Sequence, residues 1–409
     1  MSNNSQHKPG YKHTPLGWIP EEWEVFEVGQ ISKVSSGGTP DRKNENYWNG
    51  SIPWVSTSLI DFNVIDQANE FITEEGLKNS SAKLFEPGTI LMAMYGQGKT
   101  RGKVAKLGIA ATTNQACAAI VNDGKVHTDF LFQFFVHNYS NIRKLSNTGS
   151  QENLNGELIK SINLKLPTLP EQLKIATILS TWDEAITKSQ HLIAQLQQRN
   201  KGLMRQLLSG KKRLKDFEEE WKEMHLGDVL TERNETGFIN LNLLSVGSLG
   251  IYPQSQSEKR DISNIDKSKY KRICPGDIGY NTMRMWQGRS ALSSLEGIVS
   301  PAYTVVTPKD QQYSLFYAFL FKLPSVVNKF FRNSQGLVED TLNCKFKDLA
   351  IVKVEVPEYD EQVAIADIIS KTVEQIKLYE EKLAALQQQK KGLMQKLLTG
   401  EVRVRIDRI

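Results

Sequence analysis

Two stretches of the chain carry side chains suited to reading base edges and phosphates. Gln97, Lys99, Thr100, Arg101 and Lys103 fall within YGQGKTRGK at 95–103, where glycines permit close approach of the backbone to a ligand. Asn281, Arg284, Trp286, Gln287 and Arg289 follow Pro275-Gly276 in a second polar run. Arginine can bridge guanine O6 and N7, asparagine or glutamine can bridge adenine N6 and N7, and lysine attracts phosphate. Trp286 adds a ring that can stack or wedge. A second tier is as well suited to turns and helix caps as to base contact. It comprises Thr39 and Lys43, with Ser36, Arg42 and Asn46; Gln151 and Asn153, with Ser150, before Leu154; Ser334 and Gln335 before Leu342; and Ser245, Lys259 and Arg260.

Other chemistries find less support. Gly98-Lys99-Thr100 ends like a phosphate-binding P-loop, but the glycine required five residues earlier is Ala93. The six histidines show no pairing at metal-ligand spacing. No G-x-S-x-G elbow, H-E-x-x-H helix, or Asn-Pro-Pro-Tyr or Asp-Pro-Pro-Tyr string of the amino-methyltransferases occurs. Cys117, Cys274 and Cys344 are too few and too far apart for a disulfide framework or a C-x-x-C site, which fits a reducing compartment. The expectation is a chain without catalytic residues, bound metal or cofactor of its own.

The elements that must position these residues repeat. EQLKIATILS at 171–180 answers EQVAIADIIS at 361–370, and KGLMRQLLSG at 201–210 answers KGLMQKLLTG at 391–400, both displaced by 190 residues. Fainter echoes link EEWEVFEVGQI (21–31) to EEWKEMHLGDV (219–229), Pro87-Gly88 to Pro275-Gly276, and the Leu-Asn pair at 154–155 to that at 342–343. The order is lobe, helix, lobe, helix. In the first helix Leu179, Trp182, Ile186, Ser189, Ile193, Leu196, Asn200, Leu203 and Leu207 step by alternating threes and fours, as in a coiled-coil seam; in the second, Ile369, Thr372, Ile376, Tyr379, Leu383, Leu386, Lys390, Leu393 and Leu397 do the same. Asn200 and Lys390 interrupt the two seams at equivalent places. About 40 residues make a rod of roughly 60 Å. A bare apolar seam is unstable, so the two helices are expected to pair, antiparallel because a lobe lies between them in sequence. The plainer alternative is that each packs on its own lobe.

The lobes read as mixed α and β, with strands around 52–55, 89–92, 118–121 and 303–306 and helices over 130–145 and 314–331, the latter broken at Pro324. The predicted fold is α+β: two pseudo-symmetric mixed lobes at 1–165 and 213–355, separated by two long antiparallel helices, 166–212 and 356–409, that form a coiled coil. The 409 residues suit several cores, and 39% hydrophobic with 24% charged residues excludes a disordered or fibrous chain. Net charge is +5, and the surplus lies at 171–217 (+5), since 218–350 and 351–409 are each neutral. Neither lobe is strongly basic, so any nucleic-acid binding must come from local clusters. The polar start lacks a signal-peptide core, and no apolar run reaches about 18 residues. A cytoplasmic protein away from membranes is expected. At this level three readings stand: a DNA-reading protein, an enzyme acting on nucleic acid, and a coiled-coil adaptor.

The duplicated plan, the matching helix ends, and the phrases GGTP (37–40), IPWVS (52–56), YGQGKTRG (95–102), TNQA (113–116) and SPAY (300–303) together resemble the specificity subunits of type I restriction-modification systems. The resemblance covers nearly the whole chain. It implies a non-catalytic subunit in which each lobe is a target-recognition domain reading half of a bipartite double-stranded DNA sequence. The paired helices would set the unspecified gap and dock two methyltransferase subunits, and restriction subunits would complete a nuclease. S-adenosylmethionine, ATP and magnesium would belong to those partners.

Overall fold

The computed structural model describes residues 8–96, 98–145, 153–247, 250–257 and 264–406. The chain divides into two compact units: residues 1–190 with 382–409, and residues 191–381. Each unit holds one lobe and half of each long helix. The helices are Leu169–Leu207 (39 residues) and Tyr359–Leu398 (40 residues). Pro170 occupies the first turn, where its missing N–H costs no hydrogen bond.

In the first unit the central antiparallel strands run in the order Ser32–Ser36, Cys117–Asn122, Ile90–Ala93, Val104–Leu107, with Val64–Ile65 added parallel at the edge. A smaller sheet joins Thr112–Thr113, Trp48–Val55 and Glu70–Ile72. Glu24–Glu27 pairs with Asn163–Leu166, and helix Thr128–Ile142 packs its Phe130, Leu131 and Phe135 into the core. The second unit repeats the order as Leu230–Glu232, Tyr303–Pro308, Ile278–Asn281, Ser290–Leu292. Its Lys222–His225 pairs with Lys353–Val356, as the corresponding strands do in the first unit. The single helix of the first lobe becomes two, Ser314–Leu320 and Pro324–Asn333, because Pro324 cannot continue a helix but is well placed to start one.

The near-identical helix ends have a clear packing role. Ile175, Ala176 and Leu179 are buried in the first core with Leu397 and Leu398; Ile365, Ala366 and Ile369 are buried in the second with Leu207 and Leu208. Each fully buried aliphatic side chain contributes about 1.5–3 kcal/mol, so these residues weld the helices to the lobes. Docking on a lobe and helix pairing therefore coexist within each unit.

Pairing is antiparallel in both units. In the second, Gln197 Nε2 donates to Glu380 Oε1 (3.0 Å), Arg199 Nη2 to Gln375 (3.3 Å), and Thr372 Oγ1 to Asn200 Oδ1 (2.5 Å). In the first, buried Lys390 pairs with Asp183 at 2.5 Å, and Gln133 Nε2 donates to the same carboxylate at 2.6 Å. The two polar interruptions thus receive different partners. Of the residues expected to form the seam, Ile193 and Leu196 are buried, while Trp182, Ile186, Leu203, Ile376, Leu383, Leu386 and Leu393 are half-buried.

A second duplicated device ties the lobes to the helices. Glu171, fully buried, accepts from Trp23 Nε1 (2.9 Å) and from Arg403 Nε and Nη2 (2.6 and 2.9 Å). Glu361, equally buried, accepts from Trp221 Nε1 (3.0 Å) and from Arg213 Nε and Nη2 (both 2.8 Å). The neighbouring Gln172 and Gln362 donate to the carbonyls of Pro167 and Pro357 and accept from the backbone N–H of His127 and Tyr313.

Candidate nucleic-acid interface

In each lobe the polar loops converge on one end of the central sheet through the same backbone hydrogen bonds. In the first, Met94 N donates to Ala116 O (2.9 Å) and Leu154 N to Met94 O (3.0 Å). In the second, Thr282 N donates to Ala302 O (3.2 Å) and Cys344 N to Thr282 O (2.9 Å). Leu154 therefore corresponds to Cys344 and not to Leu342. The Leu-Asn echo at 342–343 is two residues out of register, because main-chain pairing rather than residue identity sets the equivalence.

The GGTP turn joins the first cluster. Gly38 N donates to Thr113 O (2.8 Å) and Gly37 N to Cys117 O (3.4 Å). A Cβ on Gly37 would lie 2.0 Å from the Thr113 carbonyl, and one on Gly38 would lie 2.3 Å from Ser81 Oγ, so only glycine allows this docking. It brings Thr39 Oγ1 to 2.5 Å from Gln115 Oε1. Exposed Gln115 is thus a candidate that sequence reasoning missed, although its phrase TNQA was visible. Lys43 is exposed nearby, and Arg42 is committed to Glu70 and to the rings of Trp48 and Trp54.

The other expected residues separate by environment. Lys99 is exposed and Thr100 and Asn153 are half-exposed, whereas Arg101 is buried and donates to Arg143 O (2.8 Å). Lys103 pairs with Asp61 at 2.5 Å. Arg101 and Lys103 serve the loop's own fold. Gln97, Gln151 and Arg260, with Ser150 and Lys259, lie outside the described residues. In the second lobe Gln287, Arg289 and Gln335 are exposed, and Arg284 is half-exposed. Asn281 Oδ1 accepts from Met283 N (2.9 Å), Trp286 Nε1 donates to Met283 O (3.0 Å), and the Trp286 ring packs on Phe331 at 6.0 Å. Trp286 braces its loop and is only half-exposed. Gln335 and Asn343 form a backbone bridge, and Ser245 bonds Gln254.

What the two clusters share is chemistry for contact: exposed amides and cations on loops held by main-chain bonds. Among the described residues no group of three or more His, Cys, Asp or Glu could hold a metal, and no helix is long and apolar enough to cross a membrane. Cys117 and Cys344 are poor nucleophiles, since burial pushes the Cys117 thiol up to about 11 and that of Cys344 to about 12.

The family described as type I restriction modification DNA specificity domain matches twice, over residues 20–198 and 218–388. The chain belongs to this family. It carries two copies of the DNA specificity domain of type I restriction-modification systems, one for each lobe and the long helix that follows it. Its two lobes with paired long helices match the fold of the M. genitalium type I S subunit, with a TM-score of 0.59 at 14% identity, covering 92% of this chain and 96% of that one. The MjaIX specificity subunit of Methanocaldococcus jannaschii is 30% identical over 184 residues, which are 43% of this chain and 41% of that protein. The chain thus spans about two fifths of that relative's length. A putative type I specificity subunit of the same organism, MjaX, is 24% identical over 97% of both chains.

Proposed function

We propose that this specificity subunit is the DNA-reading component of a type I restriction-modification complex, with each lobe reading one half of a bipartite double-stranded target. The observation that carries this reading is the duplication of the loop cluster: two divergent sets of amides and cations, exposed or half-exposed, stand on loops tied by the same main-chain bonds to two equivalent sheets. A divided target with two different halves is what such a pair would recognise. Lys99, Thr100, Asn153, Thr39, Gln115 and Lys43 form the first reading surface; Asn281, Arg284, Gln287, Arg289 and Gln335 form the second. The domain limits proposed are 1–165 and 213–355 for the lobes, and 166–212 and 356–409 for the helices. The helices set the gap and receive two methyltransferase subunits, with restriction subunits added outside that core. S-adenosylmethionine, ATP and magnesium act on those partners, in the cytoplasm.

Co-expression with the cognate methyltransferase subunit tests this directly. Mapping of methylated adenines is expected to return one two-part sequence with a fixed gap, and exchange of residues 1–165 for another lobe should change one half alone. Methylation without such a motif, or a change in both halves, would overturn the reading.

A further inference from the structure

Behind each reading loop stands a donor carried by the helical segment that follows the sheet. In the second unit it is Lys322, at the turn between Ser314–Leu320 and Pro324–Asn333. Its Nζ donates to Gly288 O (2.8 Å) and Ser290 O (2.5 Å), the main-chain carbonyls that close the loop bearing Arg284, Gln287 and Arg289. Among the described residues no carboxylate pairs with it, and burial pushes its pKa down to about 8. An ammonium held in this way is costly unless its hydrogen bonds are needed. A neutral amine keeps two N–H donors, one for each carbonyl, so the anchor survives either protonation state. The helix that follows the turn meets the loop sterically: Gly288 has φ +73°, and a Cβ there would sit 2.9 Å from Val327.

The first unit solves the problem with different residues. Arg143, capping helix Thr128–Ile142, donates from Nη2 to Gly98 O, and Tyr139 donates its hydroxyl to Lys99 O. Arg101 returns from the loop to the Arg143 carbonyl at 2.8 Å. Glycine-rich loops have much conformational freedom, whereas bidentate base reading demands placement to about 0.5 Å. Anchored carbonyls supply that placement.

We infer that Lys322 and Arg143 are specificity-determining positioning residues, each holding the main chain of one base-reading loop from behind so that its side chains meet the DNA in one register. This rests on the two-half-site reading above. The test uses the full chain co-expressed with its cognate methyltransferase subunit and a map of methylated motifs. Lys322→Met should relax one half of the motif, lowering discrimination against single-base variants by about 5- to 150-fold, the span of one well-placed base contact. Arg143→Met should relax the other half. Lys322→Arg, which restores donors, should recover the stricter motif. Should Lys322→Met fail to accumulate, Lys322→Gln, with one amide donor, takes its place under the same expectations. Unchanged motifs, relaxation of both halves together, or an arginine variant as relaxed as the methionine one would overturn the inference. A wild-type map without any two-part motif would instead sink the reading on which it rests.

Discussion

Replacing Arg403 by alanine should destabilise the first unit far more than a surface arginine would. Glu171 is fully buried and accepts three hydrogen bonds, two of them from Arg403 at 2.6 and 2.9 Å. Without the guanidinium, a buried carboxylate keeps only the Trp23 indole at 2.9 Å. Breaking a buried ion pair by removing one partner costs about 3–5 kcal/mol, and because the Arg403 side chain is 34% exposed, water can enter and the lower end applies, about 3 kcal/mol. Removing both charges as Glu171→Met with Arg403→Met should cost about 1 kcal/mol or less, since neither ion is then left stranded. Urea unfolding followed by tryptophan fluorescence measures this, with Trp23 as a reporter in the clasp. At a slope of about 3 kcal/mol per molar urea, the midpoint assigned to the first unit should fall by about 1 M, leaving that of the second in place. Arg213→Ala should do the converse through Glu361 and Trp221. A cost below 1 kcal/mol for Arg403→Ala, or a double variant no better than the sum of the singles, would refute the claim that the clasp is a coupled buried pair.

Deleting one heptad from each long helix, residues 186–192 and 376–382, removes about 10 Å of rise and should shorten the gap between methylated half-sites by about three base pairs; an active variant with an unchanged gap would show that the helices do not set it. Gly37→Ala places a methyl group 2.0 Å from the Thr113 carbonyl, so backbone must move. A loss of about 1–3 kcal/mol in the first unit is expected by thermal unfolding, with a relaxed half-site in the methylation map, and wild-type values for both would remove the steric argument.

Much of the architecture was legible because duplication writes itself into sequence. Matching ten-residue strings at one offset, and apolar residues at threes and fours, are enough to infer two long helices and two lobes. Candidates for the seam could be chosen because helical periodicity alone decides which positions share a face. Pro324 announced its helix break for an equally local reason. The loop residues were legible only as types, since base-reading and turn-forming side chains overlap chemically.

Tertiary structure decided what each of those residues does. Arg101 and Lys99 are neighbours in one glycine-punctuated loop, yet one is buried beneath Arg143 and the other exposed, a distinction set by how the loop folds back on a distant helix. Gln115 joined the surface only because two glycines let a turn some 75 positions away reach it. Lys322 and the Trp–Glu–Arg clasps were invisible for a related reason: their partners are main-chain carbonyls, or side chains separated by up to 232 residues. By itself the sequence determined the repeat, the helices and the family, all of which rest on local pattern. Which polar groups are committed to the fold and which remain exposed depends on long-range burial, and that only the packed chain could decide.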